Sequence, residues 1–297
     1  MPNPIYQTNV ILAPYTTYKI GGPADYFFVA KKTEELVNVV AYARKSNTPY
    51  FILGTGANIL FGDKGFRGLV IKNETSKIIL NENKITTDGG VTVENVIDFS
   101  CKNNLSGFEH FAGIPSTIGG ALWQNLHFLS PNRRETVFIE SILESAEILD
   151  KKDNISVVDK NFFKFNYDYS ILHDRNLIVT KATFNLVKKD KMLIKKQIEE
   201  NLKWRAEKHP PLEKYPSCGS IFKKIEGVGA GRLIEKVGLK GYQIGGAQIS
   251  EKHANFIVNK GNAKASDVVS LIKLIKEKVK KETGHSLKTE ISFVGEF

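Results

Sequence analysis

Apolar positions along the chain change period repeatedly, and each change marks an element. Tyr26-Phe27-Phe28-Val29 follows the turn Gly21-Gly22-Pro23 and reads as a strand. Thr33, with Glu34 and Glu35 behind it, reads as a capped helix start, and Leu36, Val37, Val40 and Ala41 supply an apolar helical face. Tyr50-Phe51-Ile52-Leu53 is a short buried strand, and Leu69-Val70-Ile71 is another. Lys77-Ile78-Ile79-Leu80 opens a second unit, in which Thr92 caps a helix with Val93, Val96, Ile97 and Cys101 on one side. Strand-like runs follow at 145–149, 177–180 and 182–186. A lysine-rich helix at 188–208 is stopped by Pro210-Pro211, which marks a boundary. Beyond it come a helix at 230–237 and a strand at 255–258. A long helix from Ser266 then carries Val268, Ile272, Ile275 and Val279 on one face, Gly284 ends it, and Glu290–Val294 reads as a closing strand.

Two glycine loops interrupt this pattern. Gly54-Thr55-Gly56-Ala57-Asn58 follows a strand, and Phe111–Ala121 packs Gly113, Ser116, Thr117, Gly119 and Gly120 between apolar residues. Glycines let backbone approach a ligand closely, and hydroxyls and N–H groups ahead of a helix start make a phosphate seat. Such a loop is also an ordinary turn about as often. Two of them far apart in sequence suit an extended ligand gripped at two points, for which a dinucleotide is the candidate. A Rossmann fingerprint is not complete, because the third glycine and an immediate helix are missing after Gly54.

Composition narrows the classes. At 297 residues the chain has room for about two domains. Its 41% hydrophobic and 25% charged residues are those of a globular protein without a membrane span. Met1-Pro2-Asn3-Pro4 carries no signal pattern, and a cytoplasmic protein is expected. Cys101 and Cys218 give neither a disulfide framework nor a metal quartet. A net charge of +10 suits nucleic acid or a phosphorylated small molecule. No basic motif is interleaved with aromatics, and the lysines at 188–196 and 273–281 read as solvated helix faces, so no nucleic-acid partner is expected.

Five motifs in order carry a resemblance: Gly54–Asn58, Ala112–Ala121, Pro216-Ser217-Cys218-Gly219-Ser220-Ile221-Phe222-Lys223, Gly238-Leu239-Lys240-Gly241 and Gly245-Gly246-Ala247-Gln248. From about Tyr15 to Phe297 the chain resembles the UDP-N-acetylenolpyruvoylglucosamine reductases, in their compact subtype. The resemblance implies an α+β fold: a two-part FAD-binding domain of the vanillyl-alcohol-oxidase type (1–75 and 76–188), then a smaller α/β substrate-binding domain (189–297). It implies noncovalent FAD held by Gly54, Thr55, Gly56, Ala57, Asn58, Ala112, Gly113, Ile114, Ser116, Thr117, Gly120 and Ile178. NADPH would be the reductant and a UDP-sugar the substrate, in peptidoglycan precursor synthesis. Ser220 matches the family's proton donor and Glu290 its C-terminal catalytic glutamate, as acid or electrostatic partner. Tyr167, Lys223, Lys240 and His253 match substrate-side positions.

The match breaks at one charged position. The family's Tyr-Arg-x-Ser motif, whose arginine is catalytic, is Tyr167-Asp168-Tyr169-Ser170 here. An anion cannot do a guanidinium's work beside a developing enolate. Arg175, or one of Arg133 and Arg134, is the candidate replacement. The glycine-rich stretch expected after Asn125 is Leu126-His127-Phe128-Leu129, and Phe222-Lys223-Lys224-Ile225 stands for Phe-Lys-Asn-Pro. Two other readings stay open: a non-catalytic FAD or UDP-sugar-binding relative, and a flavin oxidoreductase of the same fold with another substrate.

Overall fold

The structure, a computed structural model, describes residues 5–225 and 227–297. Met1–Pro4, read above for a targeting signal, lie outside the described residues. The described chain divides into two compact units, one built from Phe28–Thr55 and Ile71–Arg205, the other from Tyr6–Phe27, Gly56–Val70 and Ala206–Phe297. No helix among the described residues is long and apolar enough to cross a membrane.

The first unit begins with helix α1 (Thr33–Lys45) and the strand Tyr50–Leu53. The cap of α1 differs from expectation: Glu35 reaches back to accept from the amides of Lys31 and Lys32, while Thr33 donates its hydroxyl to Asp88. Its buried face is rotated too. Leu36, Val39, Val40 and Ala43 are buried, whereas Val37 and Ala41 are half-buried, and only Leu53 of the following strand is buried. The i, i+3, i+4 stripe therefore runs one position off the one read from Leu36-Val37.

A five-stranded antiparallel sheet forms the centre of this unit's core, in the order Ile155–Asp159, Leu143–Leu149, Ile178–Asn185, Lys84–Asp88, Ile78–Asn81. Helix α2 (Val93–Lys102) is capped by Thr92, whose Oγ1 accepts from the Asn95 amide at 3.2 Å, and Cys101 is buried and free. Helix α3 (Ile118–Gln124) leaves the second glycine loop. Val93, Val96, Ile118, Ala121 and Leu122 join Ile85, Ile148 and Phe184 of the sheet in one core, where Phe108 lies edge-on to Phe184 at 4.7 Å. Each of these valine, isoleucine, leucine and phenylalanine side chains contributes roughly 1.5–3 kcal/mol by leaving water. Helix α4 (Lys191–Lys208) starts in this unit, and Asn201 donates to the carbonyls of Glu109 and His110.

In the second unit, Gln7–Ile11 pairs antiparallel with Pro23–Phe27, and Ile59–Phe61 pairs parallel with Ser292–Val294. A three-stranded antiparallel meander (Gln243–Ile244, Ala247–Ile249, Ile257–Asn259) packs with helices α5 (Ala230–Lys236) and α6 (Ala265–Thr283). Val268, Ile272, Ile275 and Val279 of α6 are all buried, and Gly284 ends the helix at φ 76°. Asp63 accepts from the Ala265 and Ser266 amides and so satisfies donors at the first turn of α6. Two strands are shorter than the sequence suggested. The strand expected from Asn255 starts at Ile257, and the closing strand starts at Ser292, leaving Glu290 ahead of it.

Candidate active site

In the first unit the two glycine loops come together. A β-carbon on Gly54 would stand 2.6 Å from Thr117 Oγ1, and Thr55 Oγ1 donates to the Pro115 carbonyl at 3.2 Å. Only a residue without a side chain allows that approach. The loop is held from below by Lys72, whose ammonium donates to the Gly54 carbonyl at 2.8 Å and whose pKa is pulled down by burial. Thr117 also caps α3, accepting from the Gly120 amide, and Ser116 Oγ donates to the Thr117 carbonyl. Gly113 and Gly120 are exposed, and Thr55, Ile114 and Ser116 are half-buried, so backbone and hydroxyls of both loops stay within reach of a ligand. Ala112 and Ile178 are buried. This combination of close backbone, hydroxyls and a helix start fits a cofactor that carries a pyrophosphate.

Beside Gly113 lies a cationic cluster in which Arg133, one of the candidate cations above, is joined by Arg205, which sequence reading missed. A β-carbon there would meet Arg205 Nε at 3.1 Å. Arg205 and Arg133 both stand over the Phe128 ring at 5.5 Å, and Arg133 also faces Trp204 at 5.6 Å. Burial lowers the Arg205 pKa to about 10, and Arg133 has a buried guanidinium nitrogen without a hydrogen-bond partner among the described residues. Two guanidinium groups on one ring repel each other unless an anion is received between them.

The remainder of the Gly54–Asn58 loop belongs to the second unit. There Gly56 passes Thr16 and Tyr15 at distances a β-carbon would reduce to 2.9 Å, and Thr17 donates to the Gly56 carbonyl through both its amide and its hydroxyl. Ala57 and Asn58 are half-buried.

The second unit also brings Ser220 and Glu290 together. The Glu290 amide donates to the carbonyl of Ile221, next to Ser220, at 2.8 Å, and Phe222 forms an antiparallel bridge with Thr289. Asn255 fixes this segment: its carbonyl accepts from the Ile221 amide, while its side chain accepts from the Phe222 amide and donates to the Phe222 carbonyl. Gly219 turns the chain into Ser220 at φ 82°, and beyond its chain neighbours no heavy atom of the described residues lies within 4 Å of where its β-carbon would be. Ser220 and Glu290 are both half-buried. Cys218 is buried, and burial first, then the nearby Glu290 charge, pushes its thiol far up, which suits a packing residue and not a nucleophile. Asn255 looked in the sequence like the start of a strand. Its one signal was a polar residue opening an apolar run.

The substrate-side residues divide. Lys223 is half-buried, and its amide donates to the Lys288 carbonyl. Lys240 is ion-paired to Glu235 at 2.6 Å on an exposed surface. His253 accepts from the Asn255 amide through Nδ1 and packs on Phe256, with burial lowering its pKa, so it supports the residue that clamps Ser220. Tyr167, in the first unit, is exposed and lies 4.5 Å from the His127 ring. Arg175 and Arg134 are exposed. Asp168 is almost wholly buried at φ 51°.

The class of protein follows from the fold and the paired glycine loops: a mixed helix-and-sheet flavoprotein, with a family model described as an FAD binding domain matching residues 24–156. A second family model, the C-terminal domain of UDP-N-acetylenolpyruvoylglucosamine reductase, matches residues 210–294. The reductase of that name from Caldanaerobacter subterraneus subsp. tengcongensis is 42% identical over 95% of this chain and 91% of its own length. The one from Clostridium novyi is 38% identical over 98% of this chain and 92% of its own. The crystal structure of UDP-N-acetylenolpyruvylglucosamine reductase from Thermus caldophilus superposes with a TM-score of 0.81 at 30% identity, covering 98% of this chain and all of that one. The chain belongs to the UDP-N-acetylenolpyruvoylglucosamine reductase family, as its motifs led one to expect.

Proposed function

We propose that the protein is an NADPH-dependent flavoenzyme that reduces UDP-N-acetylglucosamine enolpyruvate to UDP-N-acetylmuramate, in peptidoglycan precursor synthesis in the cytoplasm. The observation that carries this reading is the hydrogen bond between the Glu290 amide and the Ile221 carbonyl, which sets the two expected catalytic side chains on adjoining segments. FAD supplies a two-electron hydride relay between NADPH and the enolpyruvyl double bond. The chain must then deliver one proton to the neighbouring carbon. Ser220 Oγ–H gives that proton; the serine is a weak acid, but an enolic carbanion is basic enough to take it, and solvent reprotonates the oxygen. Glu290 serves as acid or electrostatic partner beside it.

Residues 1–75 and 76–188 would hold the FAD and 189–297 the UDP-sugar. Gly54, Thr55 and the 112–120 segment offer backbone and hydroxyls to the pyrophosphate, with Gly56, Ala57 and Asn58 continuing the first loop. Lys223 offers a point charge to the anionic substrate. Lys240 would have to leave Glu235 to do the same.

The test is anaerobic. NADPH is added to the purified yellow protein, then UDP-N-acetylglucosamine enolpyruvate. Bleaching at the flavin band, its return on adding the sugar and formation of the lactyl ether support the reading. A flavin that NADPH bleaches and the sugar leaves bleached points to another substrate; a flavin that neither reagent changes points to a binding protein.

A further inference from the structure

The Asp168 side chain is 1% exposed, and neither carboxylate oxygen has a hydrogen-bond partner among the described residues. A buried carboxylate left without a partner is costly, so its nearest basic neighbour matters. That neighbour is His127, whose Nδ1 lies 3.8 Å from Asp168 Oδ1. The ring packs on Tyr167 and Phe138 at 4.5 and 5.1 Å, and Nδ1 is also 3.2 Å from the Asn125 carbonyl oxygen. Its side chain stays 19% exposed.

The three arginines considered as replacement cations do not take this place. Arg133 stacks on Phe128, the residue after His127, and successive strand residues point to opposite faces. Arg134 and Arg175 are exposed, and neither is ion-paired to Asp168.

We propose that His127 and Asp168 form a dyad: Asp168 pairs with the Nδ1 edge and orients the imidazole, and His127 presents its Nε2 edge to the substrate's carboxylate. Two departures from the family pattern, histidine where a glycine-rich stretch is expected and aspartate where arginine is expected, then become one exchange. A carboxylate beside an imidazole fixes the orientation of the ring. Asp168 is a positioning residue in this scheme. Its substrate part rests on the reductase reading; the pairing does not.

The experiment compares His127→Gln, Asp168→Asn and the double variant as holoenzymes. Thermal unfolding reports the pair, and flavin absorbance changes on titrating the oxidised protein with UDP-N-acetylglucosamine enolpyruvate report the substrate role. The proposal expects non-additive thermal shifts, and a dissociation constant and KM for the sugar raised about tenfold or more in each single variant, as for loss of a charge-assisted hydrogen bond, with little further loss in the double. His127→Gly combined with Asp168→Arg should recover sugar binding. Additive thermal shifts overturn the dyad, and an unchanged dissociation constant in both single variants overturns the substrate role. A wild-type protein that neither binds nor reduces the sugar overturns the reductase reading together with the substrate role, while the thermal coupling still decides the pair.

Discussion

Gly54 lies directly against Thr117: a β-carbon on the glycine would lie 2.6 Å from the threonine hydroxyl. Because Thr55 and Pro115 are hydrogen-bonded next to them, neither loop can retreat without breaking the pair. Gly54→Ala is expected to push the loops apart at a cost of about 1–3 kcal/mol, weakening FAD retention roughly 5- to 150-fold. The flavin-to-protein absorbance ratio after gel filtration checks it. Full FAD content in the variant would refute this role for the contact.

Thr117 itself carries the cap of α3 through the Gly120 amide. Thr117→Ala should cost about 1 kcal/mol of stability, while Thr117→Ser keeps the cap and most of that stability. Thermal melts of the two variants side by side settle it.

Ser220→Ala removes the proposed proton and leaves the backbone clamp intact. Reoxidation of the reduced enzyme by the enolpyruvyl sugar should slow by about 10²- to 10⁴-fold, with flavin reduction by NADPH at the wild-type rate. Stopped-flow absorbance separates the two half-reactions; equal loss in both would argue that the variant is misfolded.

Asn255 is buried and makes two side-chain hydrogen bonds to Phe222. Asn255→Ala leaves an amide and a carbonyl unsatisfied, with an expected loss of roughly 2–4 kcal/mol and a lower turnover from a loosened Ser220. Urea unfolding and turnover at low temperature measure the two effects. A stability change under 0.5 kcal/mol would show that the clamp relaxes freely.

Burial is the largest cause holding the His253 and His110 imidazoles below their ordinary value of 6.5. The folded protein therefore binds fewer protons than the unfolded chain in mild acid. The stability these groups contribute is complete above 6.5 and is lost as pH falls through the folded values. The melting temperature should drop on going from neutral pH to mild acid, and His253→Gln should flatten part of that drop. A variant with the same acid slope as the wild type would assign it to other groups.

What the sequence determined by itself was local or carried by linear motifs. The stripe Val268, Ile272, Ile275, Val279, the Thr92 cap and the Gly284 stop were legible because spacing and cap chemistry act within a few residues. The family was legible because its motifs are contiguous strings. Tertiary structure alone decided which distant residues meet. It set Gly54 against Thr117, Glu290 beside Ile221 and His127 beside Asp168. It also ended the closing strand early, since Thr289 spends its pairing on Phe222 and Glu290 on Ile221 before the ladder to Ile59–Phe61 begins. The physical reason is the same in each case: partners far apart in sequence are chosen by the path of the folded chain, and no periodicity encodes that path.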